Sequence, residues 1–414
     1  MKNGIPCDAL WLDIDYMDGY RVFTLSEDNF SGVAKAGAKS GKPLAELQKL
    51  RERGRRIVPI LDPGVKVDAG YRIYEEGLKD GHFCLTPAGR PYTGIVWPGL
   101  THFPDFSRDK TRRFWANEVA DFTTYGFDGY WIDMNDPSTG PIEHTSMLFD
   151  RGKKPHSSFH NQYAWGMASA TRAGLEKARP NERPFVLSRS ASTGMSQQAA
   201  VWTGDNMSSF RHLSRSIPCT INLSLSGVPF NGPDVPGFGN DASERLAERW
   251  YQAGFLFPFF RNHSIKGSRE QEPWAFGAET LEIIRHYVRL RYRLLPYLYQ
   301  AFIAQENDGS PILGPAFLND AQGLRDVDDE FLVGSHLLFA PITDEGTSRK
   351  IRLPQGDWFC LREGKLHAGA SEFEAKIGRA ETGAFARSGT IVPVAALESI
   401  EKAGCADPSL PRSE

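Results

Sequence analysis

Cysteine is scarce: five in 414 residues (Cys7, Cys84, Cys219, Cys360, Cys405), odd in number, widely spaced and with no CxxC pair. That pattern supplies neither a disulfide framework nor a zinc ribbon, and reads as reduced thiols in a cytosolic setting. Long apolar runs are missing, so no segment approaches the roughly 18 residues of a membrane span. The opening residues, MKNGIPCDALWLDIDY, lack the apolar core of a secretory leader, and a cytoplasmic protein is expected. Excess charge of either sign is missing too. Lys plus Arg is 48 and Asp plus Glu is 51, leaving −3, which disfavours nucleic acid or an anionic membrane surface as partner. No glycine-rich phosphate turn follows an early strand, which argues against a dinucleotide-binding sheet. The ten histidines are scattered, without HxH or HExxH, so no metal and no cofactor is expected.

What is present is a composition suited to a sizeable core: 40% hydrophobic and 24% charged residues. The length gives a prior of two or three domains, although one α/β barrel can use about 250 residues or more. Aromatics reach 12%, with 26 Phe and 9 Trp. Core packing accounts for such a surplus more often than sugar stacking does.

Up to about residue 305, short apolar runs alternate with helical patterns. Strands are predicted at 9–14, 57–61, 129–132, 185–188, 200–203, 228–231 and 255–259. Helices are predicted in PLAELQKLRERG and RDKTRRFWANEVADFTTYG, the second with Phe114, Val119 and Phe122 near one face. Such alternation implies an α/β fold with parallel strands and helical crossovers. Polar or acidic residues follow most strands: DID after ALWL, DP after PIL, DMND after YWI, RS after VLS and GDN after VWT. In a TIM-type (β/α)8 barrel these strand ends form the active-site rim. Seven strands would leave two open edges, so either one strand is still unread or the chain begins after the barrel's first strand; Met1 falling just before a strand fits the second option.

The predicted organisation is a barrel over 1–308, a β-rich insertion without helical period at about 63–107, a small all-β sandwich over 309–398 and a frayed tail at 399–414. The sandwich strands are read in HLLFAPI, RKIRLP, DWFCLR and GTIVPV.

Two strand-end acids stand out, Asp133 in GYWIDMNDPS and Asp205 in VWTGDN. Two carboxylates facing one cleft suit glycoside cleavage, one attacking or stabilising the anomeric carbon and the other protonating the leaving oxygen. The plainer alternative is two rim carboxylates that cap helices. Asp13, Asp15, Arg189, Asp234, Arg261 and His263 follow other strands, and such side chains bind sugar hydroxyls by charge-assisted hydrogen bonds. Trp97, Trp131, Trp202, Phe238 and Trp274 are candidate apolar walls, each equally suited to a core role.

Taken in order, the strings WLDIDYMDGYRVFTL, ILDPGV, GIVWPG, FPDFS, GYWIDMNDPS, SRS, WTGDN, LSGVPFNGPDVPGFGN, RWYQAGFLFPFFRNHS, EPW, RLRYRLLPYLY, FLVGSHLLFAPI and ARSGTIVP resemble glycoside hydrolase family 31, in its α-glucosidase branch. The resemblance implies a retaining enzyme with Asp133 as nucleophile and Asp205 as acid/base. It implies that Asp13, Arg189, Asp234 and His263 hold the glucosyl unit, with walls from Trp97, Trp131, Met134, Trp202 and Phe238, and also Val65. The DMN form of the nucleophile string points to glucose and away from the α-xylosidase and sulfoquinovosidase branches. The implied partner is an α-glucosidic oligosaccharide; oligomeric state and linkage preference are not encoded legibly.

Two residues depart from the family pattern: Asp136 stands where a Glu is usual, and Gln198 where an Arg is usual. The family's N-terminal β-sandwich, first barrel strand and distal C-terminal β-domain have no counterpart in the sequence. Competing readings are a non-catalytic carbohydrate-binding fragment, an α-transglucosidase and a metal-dependent barrel hydrolase; the scattered histidines disfavour the last.

Overall fold

The computed structural model describes residues 3–33, 36–37, 41–319 and 323–396; the predicted tail at 399–414, with Cys405, lies outside the described residues. The chain divides into two compact units: residues 7–201, and residues up to 6 together with those from 202 onward.

The first unit is built on parallel strands β1 (Ala9–Leu12), β2 (Arg56–Leu61), β6 (Tyr130–Ile132), β7 (Val186–Ser188) and the first two residues of β8 (Ala200–Trp202), in the order β1-β2-β6-β7-β8. Register is set by Leu10↔Ile57, Ile60↔Trp131, Trp131↔Leu187 and Ser188↔Val201. β6, β7 and β8 are buried at every position, which is why they read as apolar runs and not as alternations. The crossovers carry α1 (Ala45–Glu52), α3 (Asp109–Thr123) and α4 (Tyr163–Ala178).

The buried face of α3 is Trp115, Glu118, Val119 and Phe122; Phe114, expected on it, is half-buried and stacks on His82 instead. The larger Trp one position on takes the i, i+4, i+7 stripe. Trp115 Nε1 donates to Thr171 Oγ1 of α4 at 3.0 Å, and Gly174 lets the helices close, since a Cβ there would lie 2.5 Å from that of Val119. At the N-terminal ends of the strands, Asp128 accepts from Arg56 at 3.0 Å, Arg51 at 3.2 Å and Arg179 at 3.4 Å, and from the Ile57 amide at 3.0 Å. Polar density at this end serves the fold.

The insertion is an antiparallel sheet of β3 (Val65–Lys66), β4 (Thr93–Val96) and β5 (Gly99–His102), in the order β3-β5-β4. It also holds a helix the sequence reading missed, α2 (Arg72–Asp80). Only Ile73 and Gly77 of its nine residues are buried, and Gly81 ends it in the left-handed region.

The second unit carries β9 (Asn231–Gly232), the parallel pair β10 (Asp234–Val235) and β11 (Arg261–Asn262), and helices α5 (Phe210–Leu225), α6 (Glu244–Gly254) and α7 (Ala278–Asp308). The predicted strand at 255–259 is not one. Its side chains are largely buried, but Pro258 cannot donate to a ladder. Arg291 takes over the carbonyls a neighbouring strand would have bound: Phe255 O and Phe257 O at 2.7 Å and Pro258 O at 3.0 Å. The strand forms two residues later, where Arg261 pairs in register with Asp234.

Beyond α7 the unit is all β: β12 (Leu313–Pro315), β13 (Phe331–Val333), β14 (Leu337–Ala340), β15 (Ser348–Leu353), β16 (Asp357–Cys360), β17 (Lys365–Ala368), β18 (Ser371–Lys376) and β19 (Gly383–Arg387). One sheet runs β12-β13-β14-β19-β16-β17, and β15 pairs with β18. GTIVPV is not a strand: Ile391 is 87% exposed, and the last strand to form is the small-residue run GAFAR of β19.

Candidate active site

In the first unit the strand ends gather an acidic cluster around one arginine. Asp133 leaves β6 with its amide bonded to Leu61 O at 3.1 Å, and its Oδ1 accepts the Met134 amide at 2.6 Å. Met134 takes φ +53°, a turn that carries the following chain away from the strand direction. Arg189, leaving β7 with its amide on Ile132 O, places Nη1 2.8 Å from Asp133 Oδ1 and Nη2 2.7 Å from Asp136 Oδ2. One guanidinium thus bridges two carboxylates.

Asp136 anchors that bridge. Ser138 donates to its Oδ2 at 2.5 Å and Ser190 to its Oδ1. Burial works to raise its pKa, but the Ser138 and Ser190 hydrogen bonds and the Arg189 charge outweigh it and hold the carboxyl below its usual value. The short Asp136 side chain therefore reaches Arg189. Asn135, fully buried, ties the turn to β7 through Ser188 Oγ at 2.9 Å and the Ser190 amide at 3.1 Å.

Asp62, at the end of β2, was visible in sequence only as another acid after a strand. It is 3% exposed, with Oδ1 buried and unpartnered. Burial, then the charges of Asp133 and Asp13, push its pKa well above the usual carboxylate value, against the pull of Arg189. A raised native pKa means the fold keeps a proton that the unfolded chain releases above about pH 4. The stability from this group is full below that pH and drains away as pH rises toward the native value, by at most about 1.4 kcal/mol per pH unit. Asp62→Asn removes this titration, so its stability relative to wild type should grow between about pH 4.5 and about pH 7. Urea melts of both proteins at the two pH values check this; an equal difference at each would refute it.

The other residues predicted in this unit are placed as follows. Asp13 is exposed and accepts the Ile14 amide at 2.7 Å, capping the turn Ile14–Tyr16. Trp131 is buried, its Nε1 on Leu12 O at 3.2 Å. Val65 is buried on β3, and Met134 is half-buried. Trp97, in the β4–β5 turn, is 57% exposed, a large apolar surface left open to water.

In the second unit Asp205 is exposed, just after β8. Asn206 beside it is buried, donates to Asp234 O at 2.9 Å and accepts the Phe238 and Gly239 amides, which fixes the segment that carries Asp205. Asp234 and Arg261 form a buried ion pair, Oδ1 to Nη2 at 2.7 Å and to Nε at 2.9 Å. The Arg261 guanidinium lies 5.3 Å from the Trp202 ring centroid. Phe238 stacks on His263, centroids 5.2 Å apart. Burial, with the Arg261 charge added, lowers the His263 pKa to about 3, so the imidazole is a neutral hydrogen-bonding group at working pH. Trp274 is 52% exposed in the turn Pro273–Phe276. Asp133 and Asp205 thus belong to different units, each held by its own neighbours.

A family model for the glycosyl hydrolases family 31 TIM-barrel domain matches residues 1–301, and one for the family 31 C-terminal domain matches 309–392. The chain belongs to glycosyl hydrolase family 31. Its fold is the α/β TIM-barrel domain of family 31 followed by the family's all-β C-terminal domain. Among curated relatives, alpha-glucosidase 2 of Bacillus thermoamyloliquefaciens is 41% identical over 89% of this chain and 47% of its own length. Human neutral alpha-glucosidase AB is 35% identical over 94% of this chain and 42% of its own. The crystal structure of a glucosidase II alpha subunit superposes with a TM-score of 0.86 at 31% identity, over 94% of this chain and 42% of the other. This family 31 chain spans about half the length of the curated relatives it matches.

Proposed function

We propose that this family 31 chain supplies the catalytic machinery of a retaining α-glucosidase. The observation that carries the reading is the Arg189-clamped Asp133 at the end of β6, within the string WIDMND. In the proposed cycle Asp133 attacks the anomeric carbon of a terminal α-linked glucose, and the carbon–oxygen bond to the leaving group breaks. Asp205 gives its proton to that oxygen. Asp205 then takes a proton from water, whose oxygen bonds to the anomeric carbon as the ester to Asp133 breaks. Two inversions release α-glucose.

Arg189 neutralises Asp133 between turns without a second mobile charge, because Asp136 holds its other arm. Asp234, Arg261 and a neutral His263 offer fixed partners for sugar hydroxyls, and Trp97 offers an apolar face. The names of the relatives support glucose as the sugar removed, since they are alpha-glucosidases.

The test is proton NMR of the chain's action on maltose and isomaltose at early times. α-Glucose should form first, before mutarotation, and the faster disaccharide reports the linkage. β-Glucose as first product would overturn the retaining reading, and absence of product from either sugar would favour a binding role.

A further inference from the structure

A second chemically distinct cluster lies in the C-terminal β-domain, on the hairpin formed by β16 and β17. Cys360 ends β16, Glu363 sits in the turn and His367 lies on β17, directly opposite Trp358. Gly364, at φ +66°, closes the turn with its amide on Cys360 O at 2.9 Å. Side chains of one hairpin face alternate with period two, so Cys360 and His367 point to the same side as diagonal neighbours. One ligand atom from each of Cys360, Glu363 and His367 lies within 4.8 Å of the others.

Three details make this more than a chance grouping. His367 Nε2 is buried and makes no hydrogen bond, although Glu363 Oε2 stands 3.4 Å away. The imidazole is oriented by stacking on Phe373, centroids 4.9 Å apart and planes 14° from parallel. Arg362 binds Glu363 through Oε1, which leaves Oε2 as the oxygen turned toward His367. The stack and the Arg362 pair fix the orientations of the imidazole and the carboxylate. The thiol itself is held in the domain core, 2% exposed, while Glu363 is exposed. The site therefore lies where the core meets solvent, with a path for an ion.

We propose that Cys360, Glu363 and His367 form a binding site for a divalent zinc-type cation, remote in sequence from the strand-end acids. A sulfur, a nitrogen and an oxygen donor suit zinc, which takes Cys at about 2.3 Å and His or carboxylate at about 2.0–2.2 Å. Closing the cluster around such an ion asks for side-chain movements of about 1 Å. Binding displaces the thiol proton, and the fourth position is left to water. The sequence reading missed the set because C-x2-E-x3-H matches no HxH or CxxC spacing; it becomes a site only when the hairpin folds.

The experiment uses the full chain stripped with a chelator and then dialysed, with zinc or cobalt as the probe. One zinc per chain should bind in competition with a chromophoric chelator, and zinc should raise the melting temperature. Cobalt should give a thiolate charge-transfer band in the near ultraviolet. His367→Asn and Glu363→Gln should weaken binding by at least about 10–100-fold, the range that even outer partners of a ligand cost. Cys360→Ser should abolish the cobalt band. No stoichiometric zinc binding, or zinc binding of equal strength in the wild type, His367→Asn and Glu363→Gln, would overturn the proposal, as would a cobalt complex lacking the thiolate band.

Discussion

With Asp133 as the proposed nucleophile, Asp133→Asn should lower turnover of an α-glucoside by about 10⁴-fold or more, the scale of loss seen when an enzyme's covalent nucleophile is removed. The substitution is close to isosteric, and the amide oxygen still accepts from Met134 and faces Arg189, whose second arm stays on Asp136. The fold around β6 should therefore survive, and substrate binding with it. Asp133→Ala goes further as a test, because it opens room for an external nucleophile. Azide should restore turnover of an activated aryl α-glucoside, and the product should be β-glucosyl azide, since only one inversion remains. Rates near wild type for Asp133→Asn, or rescue that yields the α-azide, would assign the nucleophile elsewhere.

Asp205→Ala separates the second carboxylate by role. Loss of a general acid costs about 10²–10⁴-fold. The cost should fall on substrates whose leaving group needs a proton, such as maltose. A 4-nitrophenyl α-glucoside, whose phenolate leaves unaided, should be cleaved in the first step at a rate much nearer wild type, and the glucosyl ester should then accumulate as a burst. Azide attacks that ester from the face water would have used, so here the product is α-glucosyl azide. The opposite stereochemistry of the two rescues is the discriminating result. Equal losses on maltose and the aryl glucoside would deny Asp205 the acid role. Because Asn206 and its bonds to Asp234 O and the Phe238 amide fix the neighbouring backbone, the exposed Asp205 side chain can be truncated without disturbing the segment.

The strands that end in Asp133, Arg189 and Asp205 were legible because a buried parallel strand is a short apolar run and its polar successor marks where the run leaves the core. The run FLFPF was misread for the same reason. Burial makes residues apolar whether or not they join a ladder, and neither Arg291 nor its three carbonyl bonds leave a trace in the local pattern. The helix Arg72–Asp80 escaped because it lies inside a long segment whose glycines, prolines and aromatics read as an insertion. Asp62 was seen as a rim acid, but its proton depends on three-dimensional neighbours, Asp133 and Asp13, far away in sequence. The bridge from Arg189 to Asp136 was equally invisible, since it joins the ends of two strands.

The knot of Arg51, Arg56 and Arg179 around Asp128 has a consequence for how this scaffold tolerates change. It clasps the strands at the ends opposite to those bearing Asp62, Asp133 and Arg189. Mortar and chemistry therefore occupy separate floors of the same sheet. Substitutions at the strand ends that bear Asp62, Asp133 and Arg189 leave this clasp in place, so the register of the strands should outlast changes at the proposed site.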